Sequence, residues 1–78
     1  MTKEAKRILD AVRQAPIENY KIVVKVDNTT YSFDYIFSEQ DRKNTLVMLA
    51  LRLRKRGGYS TTKAYNKAFE REYAKMFG

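Results

Sequence analysis

Apolar positions along this chain change their spacing twice. Ala5, Ile8, Leu9 and Val12 recur at intervals of three, one and three, which marks one face of a helix, while Lys3, Lys6, Arg7, Asp10 and Arg13 fill the rest of the wheel. The spacing predicts a first helix from about Thr2 to Gln14. Pro16 stops it, because a proline disfavours helical geometry at the residue before it, here Ala15. From Tyr20 the period becomes two: Tyr20, Ile22, Val24 and Val26 alternate with Lys21, Val23 and Lys25, and Tyr31, Phe33, Tyr35 and Phe37 alternate with Ser32, Asp34 and Ile36. Two strands joined through Asp27-Asn28-Thr29-Thr30 are predicted, since Asn and Asp favour turns. A symmetric closure sets Val26 opposite Tyr31, Val24 opposite Phe33, Ile22 opposite Tyr35 and Tyr20 opposite Phe37, with all eight on one side. The other side then carries Val23 and Ile36 among Lys21, Lys25 and Asp34.

The helical period returns after Ser38-Glu39-Gln40-Asp41, a variant capping box with acidic residues at the helix start. Leu46, Leu49, Ala50 and Leu53, broadened by Val47, Met48 and Leu51, form the apolar stripe of a second helix that Gly57-Gly58 ends. Ser60 can cap a third helix whose inward stripe is Tyr65, Ala68, Phe69, Tyr73 and Met76, with Lys63, Lys67, Glu70 and Arg71 turned outward. The reading is an α+β fold in one domain over residues 1–78: a helix, a two-stranded antiparallel hairpin, then two helices, packed on one sheet face. A lone two-stranded sheet is barely stable in water, so the helices must cover its aromatic face. Both strands are also edges, which makes a homodimer through a hairpin edge an open alternative, with Val23 and Ile36 as candidate interface residues.

Length and charge narrow the function classes. A chain of 78 residues buries only roughly 60% of its unfolded surface and has little room for a large catalytic cleft. Lys and Arg number 16 against 9 Asp and Glu, a net charge of +7 that favours polyanions or acidic protein surfaces as partners. There is no cysteine and no histidine, which removes disulfides, thiolate nucleophiles, the usual proton shuttle and the commonest metal ligands. The longest apolar run, Leu46 to Leu51, is far short of the roughly 20 residues needed to cross a bilayer, and no signal-type apolar core follows Met1. A cytoplasmic protein without cofactor or metal is expected.

Motifs with catalytic lettering have simpler explanations. Glu39 and Asp41 suit a helix start, and Glu70 and Glu72 diverge by about 200° on a helix. Ser60-Thr61-Thr62-Lys63 has the letters S-x-x-K without any sign of an oxyanion hole, and a helix cap accounts for the serine. Gly57-Gly58 matches no phosphate-binding fingerprint.

The basic segment Arg52-Leu53-Arg54-Lys55-Arg56 is different. On a helix Arg52, Lys55 and Arg56 share one face, Arg54 points elsewhere and Leu53 points inward. One reading is a solvated helix end whose cations favour the dipole. The other is a phosphate clamp of Arg52, Lys55 and Arg56, extended by Lys63 and Lys67, with Tyr59 between the cations to stack on a base. A helix, a glycine turn and a helix also have the outline of a helix-turn-helix, with Thr62, Lys63, Asn66, Lys67, Glu70 and Arg71 exposed on the second. The function expected is a small, basic, non-enzymatic binder of nucleic acid or a regulator. The alternative is a phage-type inhibitor or adaptor whose basic face and hairpin edge bind a host protein or nucleoprotein complex.

Overall fold

Thr2 starts the first helix, its hydroxyl accepting the Ala5 N–H at 3.1 Å. In the computed structural model, which describes residues 2–55 and 57–78, α1 runs Lys3–Gln14, β1 Ile22–Val26, β2 Thr29–Phe33, α2 Glu39–Arg54 and α3 Thr62–Phe77. The predicted order and class hold: a helix, an antiparallel hairpin and two helices. The inward face of α1 is the predicted one, with Ala5, Ile8, Leu9 and Val12 all buried. The core gathers Leu9 and Val12 of α1, Ile22 and Val24 of β1, Ile36, and Leu46 and Ala50 of α2. Tyr31 and Phe33 of β2 pack against its edge.

Arg42 locks α2 to the end of α1. Its Nη1 lies 2.9 Å from the Val12 carbonyl, 3.0 Å from that of Arg13 and 2.5 Å from that of Ala15, while its Nε donates to Glu39 at 2.8 Å. Those carbonyls belong to the last turn of α1, where no intrahelical donor reaches them, and a cation there also meets the negative end of the helix dipole. At the start of α2 the Ser38 hydroxyl accepts the Asp41 N–H, and the Asp41 carboxylate takes the Phe37 N–H at 2.8 Å. The reciprocal cap is the expected one displaced by a residue, since the carboxylate reaches past Ser38.

The hairpin departs from the predicted register. Thr29 and Thr30 belong to β2, and the turn is the two residues Asp27-Asn28, with Asp27 at φ 55°. Val26 therefore pairs with Thr29, Val24 with Tyr31 and Ile22 with Phe33, a shift of two from the predicted pairing. A shift of two preserves the facing of each side chain, so the buried side of β1 is unchanged.

Beyond Phe33 the alternation reverses, which overturns the expectation for Ile36 as an exposed interface residue. Tyr35 takes a left-handed backbone at φ 62°, and this one residue turns Ile36 inward to 2% exposure while Tyr35 stands 79% and Phe37 66% exposed. Tyr20, also expected inside, is 62% exposed because it occupies a tight turn rather than a strand. Glu18 and Lys21 exchange both backbone hydrogen bonds, each 3.0 Å, around Asn19 at φ 52° and Tyr20 at φ 59°, the sign pattern of a type I′ turn. The Ile36 N–H donates to the Tyr20 carbonyl at 2.9 Å and ties the two corners together.

α2 and α3 run antiparallel. Gln40 bonds the Tyr73 hydroxyl at 3.1 Å and the Lys43 ammonium lies 5.5 Å from the Phe77 ring centroid, so the start of α2 meets the end of α3. α3 packs chiefly on α2. Its predicted stripe is half-buried rather than buried, and Tyr65, Phe69, Tyr73 and Phe77 form a ladder of rings with centroids 5.3–6.4 Å apart.

The reversal at Tyr35 gives a direct prediction. Ile36→Ala should lower the unfolding free energy by about 2–5 kcal/mol, as for other fully buried large-to-small changes, whereas Phe37→Ala should cost under about 1 kcal/mol. Chemical denaturation of the two variants measures both.

Candidate functional site

The end of α2 decides which cations of the basic segment face water together. The helix stops at Arg54, and Lys55 is an extended C-cap residue at φ −133°, ψ 103°. The predicted helical face of Arg52, Lys55 and Arg56 is therefore corrected: the helix ends before the glycines, and Arg56 lies outside the described residues. Arg52 and Lys55 nevertheless converge. They line one groove of about 230 Å³ whose other residues are Met48, Leu51, Gly58, Tyr59 and Tyr65. Gly58 has φ 72°, the left-handed geometry that a glycine takes without strain and that turns the chain toward α3.

Tyr59 forms the aromatic wall. Its ring stands edge-on to Tyr65 with centroids 5.8 Å apart, and the Lys55 ammonium lies 4.3 Å from its centroid. A cation–π contact at an exposed site is worth about 0.5–1 kcal/mol, weak enough for an arriving phosphate to share the ammonium. Arg52 is exposed and has no carboxylate partner among the described residues.

Arg54 does the opposite. It pairs at 3.0 Å with Glu72, the buried carboxylate of α3 at 6% exposure, so its charge is offset within the chain although its side chain stays partly exposed. Arg71 and Lys75 line a neighbouring groove with this pair, which shares Tyr59 and Leu51 with the first but not Arg52 or Lys55. The positive charge is thus divided between two grooves: Arg52 and Lys55 in one, and Arg71 and Lys75 around the Arg54–Glu72 pair in the other.

Of the residues predicted for the site, Arg52, Lys55 and Tyr59 are brought together. Lys63 and Lys67 stand exposed on α3 but do not line the groove. Val23 is 56% exposed on the outer sheet face, where it was expected. The serine expected to cap α3 does not: the Thr61 hydroxyl accepts the Ala64 N–H at 3.0 Å, and Ser60 lies one residue before the cap. The connection from Lys55 to Thr61 is seven residues, longer than the three or four of a helix-turn-helix turn. The residues expected on the outer face of α3, Thr62, Lys63, Asn66, Lys67, Glu70 and Arg71, are all exposed.

The Arg54–Glu72 pair went unread in the sequence, although a signal was present. Tyr65, Phe69, Glu72 and Met76 follow one another at helical spacing, so the carboxylate stands within the apolar stripe of α3 and had to find a cation. No protein-family model matches the chain, and no curated protein or solved structure is significantly similar to it. Among the described residues no cluster of acidic side chains could hold a metal ion, and no helix is long and apolar enough to cross a membrane.

Removing the cation from this pair should hurt more than removing the acid. Arg54→Met strands a buried carboxylate and should cost about 1–3 kcal/mol, below the full buried-pair penalty because Arg54 is partly solvated. Glu72→Gln leaves an arginine that can turn to water, and should cost under about 1 kcal/mol. Denaturant titrations of the two variants give the comparison.

Proposed function

We propose that this protein binds nucleic acid without catalysing a reaction, holding phosphate oxygens with Arg52 and Lys55 and offering Tyr59 to a base or sugar. The observation that carries the reading is the convergence of an arginine and a lysine on one aromatic-walled groove, beside an Arg54 whose charge is met by Glu72. A guanidinium meets two phosphate oxygens in fixed geometry, and a lysine adds a mobile point charge. The apolar floor of Met48 and Leu51 and the rings of Tyr59 and Tyr65 supply the flat surface that unpaired bases favour. Lys63 and Lys67, exposed on the helix that follows, extend the positive field along α3 without lining the groove.

Binding through phosphates releases counterions and is weakened by salt. With Arg52, Lys55 and one lysine of α3 engaged, the log–log salt slope on duplex DNA should be about −2.7, a loss of about fortyfold between about 50 and 200 mM salt. Arg52→Ala combined with Lys55→Ala should reduce that slope by about 1.8 and weaken unrelated sequences alike. Tyr59→Ala should weaken single-strand binding by about 1–3 kcal/mol and leave the slope unchanged. Fluorescence anisotropy with labelled strands measures all three. Binding that ignores salt, or a double variant that binds like the parent chain, would remove the proposal. A partner protein retained after nuclease treatment would favour an inhibitor or adaptor instead.

A further inference from the structure

Three aromatic rings stand in water on the opposite kind of surface, one without net charge. Tyr20, Tyr35 and Phe37 are 62–79% exposed, the Tyr20 and Phe37 ring centroids are 5.1 Å apart, and together with Asn19, Lys21 and Asp34 they line a groove of about 370 Å³. Two of them hold left-handed backbone, Tyr20 at φ 59° and Tyr35 at φ 62°, a conformation disfavoured for any residue with a Cβ. The turn of the chain at Tyr35 serves the fold, because it delivers Ile36 to the core. The tyrosine does not, since glycine or asparagine would take the same backbone more easily and the ring buries little within the chain. A strained aromatic held out of the core points to a contact outside it.

We infer that this face is the contact between two copies of the chain, related by a two-fold axis. Lys21 and Asp34 flank the rings, and neither has an ion-pair partner among the described residues. A two-fold contact places the Lys21 of one copy against the Asp34 of the other and repeats the pair across the axis, which makes the patch complementary to itself. The same pairing disfavours a polyanion here, because Asp34 offsets Lys21. The three rings offer roughly 400 Å² per copy, about 800 Å² in all and below the standard size of a specific interface, so the dimer is a weak one that exchanges readily. Each copy carries +7, and their mutual repulsion is screened by salt. Dimerisation therefore tightens as salt rises, the reverse of the behaviour proposed for nucleic-acid binding, and stands whether or not that binding occurs.

Sedimentation analysis of the full chain, free of nucleic acid, at low and high salt and from micromolar to near-millimolar concentration, tests this. The expected result is a reversible monomer–dimer equilibrium that strengthens with salt. Tyr35→Gly should weaken it at least tenfold with an unchanged or higher melting temperature, and Phe37→Asp should weaken it comparably. Lys21→Asp should also weaken it, and Lys21→Asp with Asp34→Lys should restore it. A chain that stays monomeric at the highest concentration overturns the inference. So does a dimer that Phe37→Asp leaves intact, one that salt loosens, or a charge exchange that fails to restore association. Should Tyr35→Gly not fold, the Phe37 and charge-exchange variants decide the matter alone.

Discussion

A carboxylate buried between two helices must be neutralised, and in this protein that requirement sorts the whole basic segment. Glu72 is the one charged residue buried among the described residues, and Arg54 meets it at 3.0 Å. Because an unpaired charge in such a place costs several kcal/mol, the position of α3 on α2 and the direction of Arg54 are set together. The neighbours of Arg54 are then left with no internal carboxylate. Arg52, about 200° round the helix from Arg54, and Lys55, just past its end, turn to the groove beside Tyr59. The free cations of the segment are thus set apart from Arg54 by the carboxylate that Arg54 meets.

A second constraint acts at the other end of the molecule. Residues in left-handed backbone at Asn19, Tyr20 and Tyr35 bend the chain where a longer hairpin could have continued. The bend inserts Ile36 into the core beside Ile22 and Leu46 and sends three rings outward. Arg42, on the carbonyls that end α1, fixes the start of α2 against that core. One end of the domain is consequently aromatic and neutral, and the loop between α2 and α3 is cationic.

Much of this was legible in the spacing of residues. The inward face of α1, the order of elements and the cap Ser38 follow from local patterns that tertiary packing had no reason to alter. The hairpin register did not follow, because Asp27-Asn28 and Asp27-Asn28-Thr29-Thr30 are both acceptable turns and a shift of two leaves every facing unchanged. Ile36 was misplaced for a sharper reason. Strict alternation assumes extended backbone throughout, and a tyrosine at positive φ breaks it without any glycine or asparagine to announce the break. At the site, helical geometry alone could separate Arg54 from Arg52, but only the fold shows that Lys55 leaves the helix and that Tyr65 completes the groove.

The proposed function requires the surface of Arg52, Lys55, Tyr59 and Tyr65 to take up an external polyanion while the rings of Tyr20, Tyr35 and Phe37 do not. Chemical-shift mapping of the isotopically labelled protein during titration with a short oligonucleotide tests it residue by residue. The largest changes are predicted at Met48, Arg52, Lys55, Gly58, Tyr59 and Tyr65, with Tyr20, Tyr35 and Phe37 unmoved. Changes centred on the aromatic corner, or spread evenly over every exposed lysine and arginine, would contradict it.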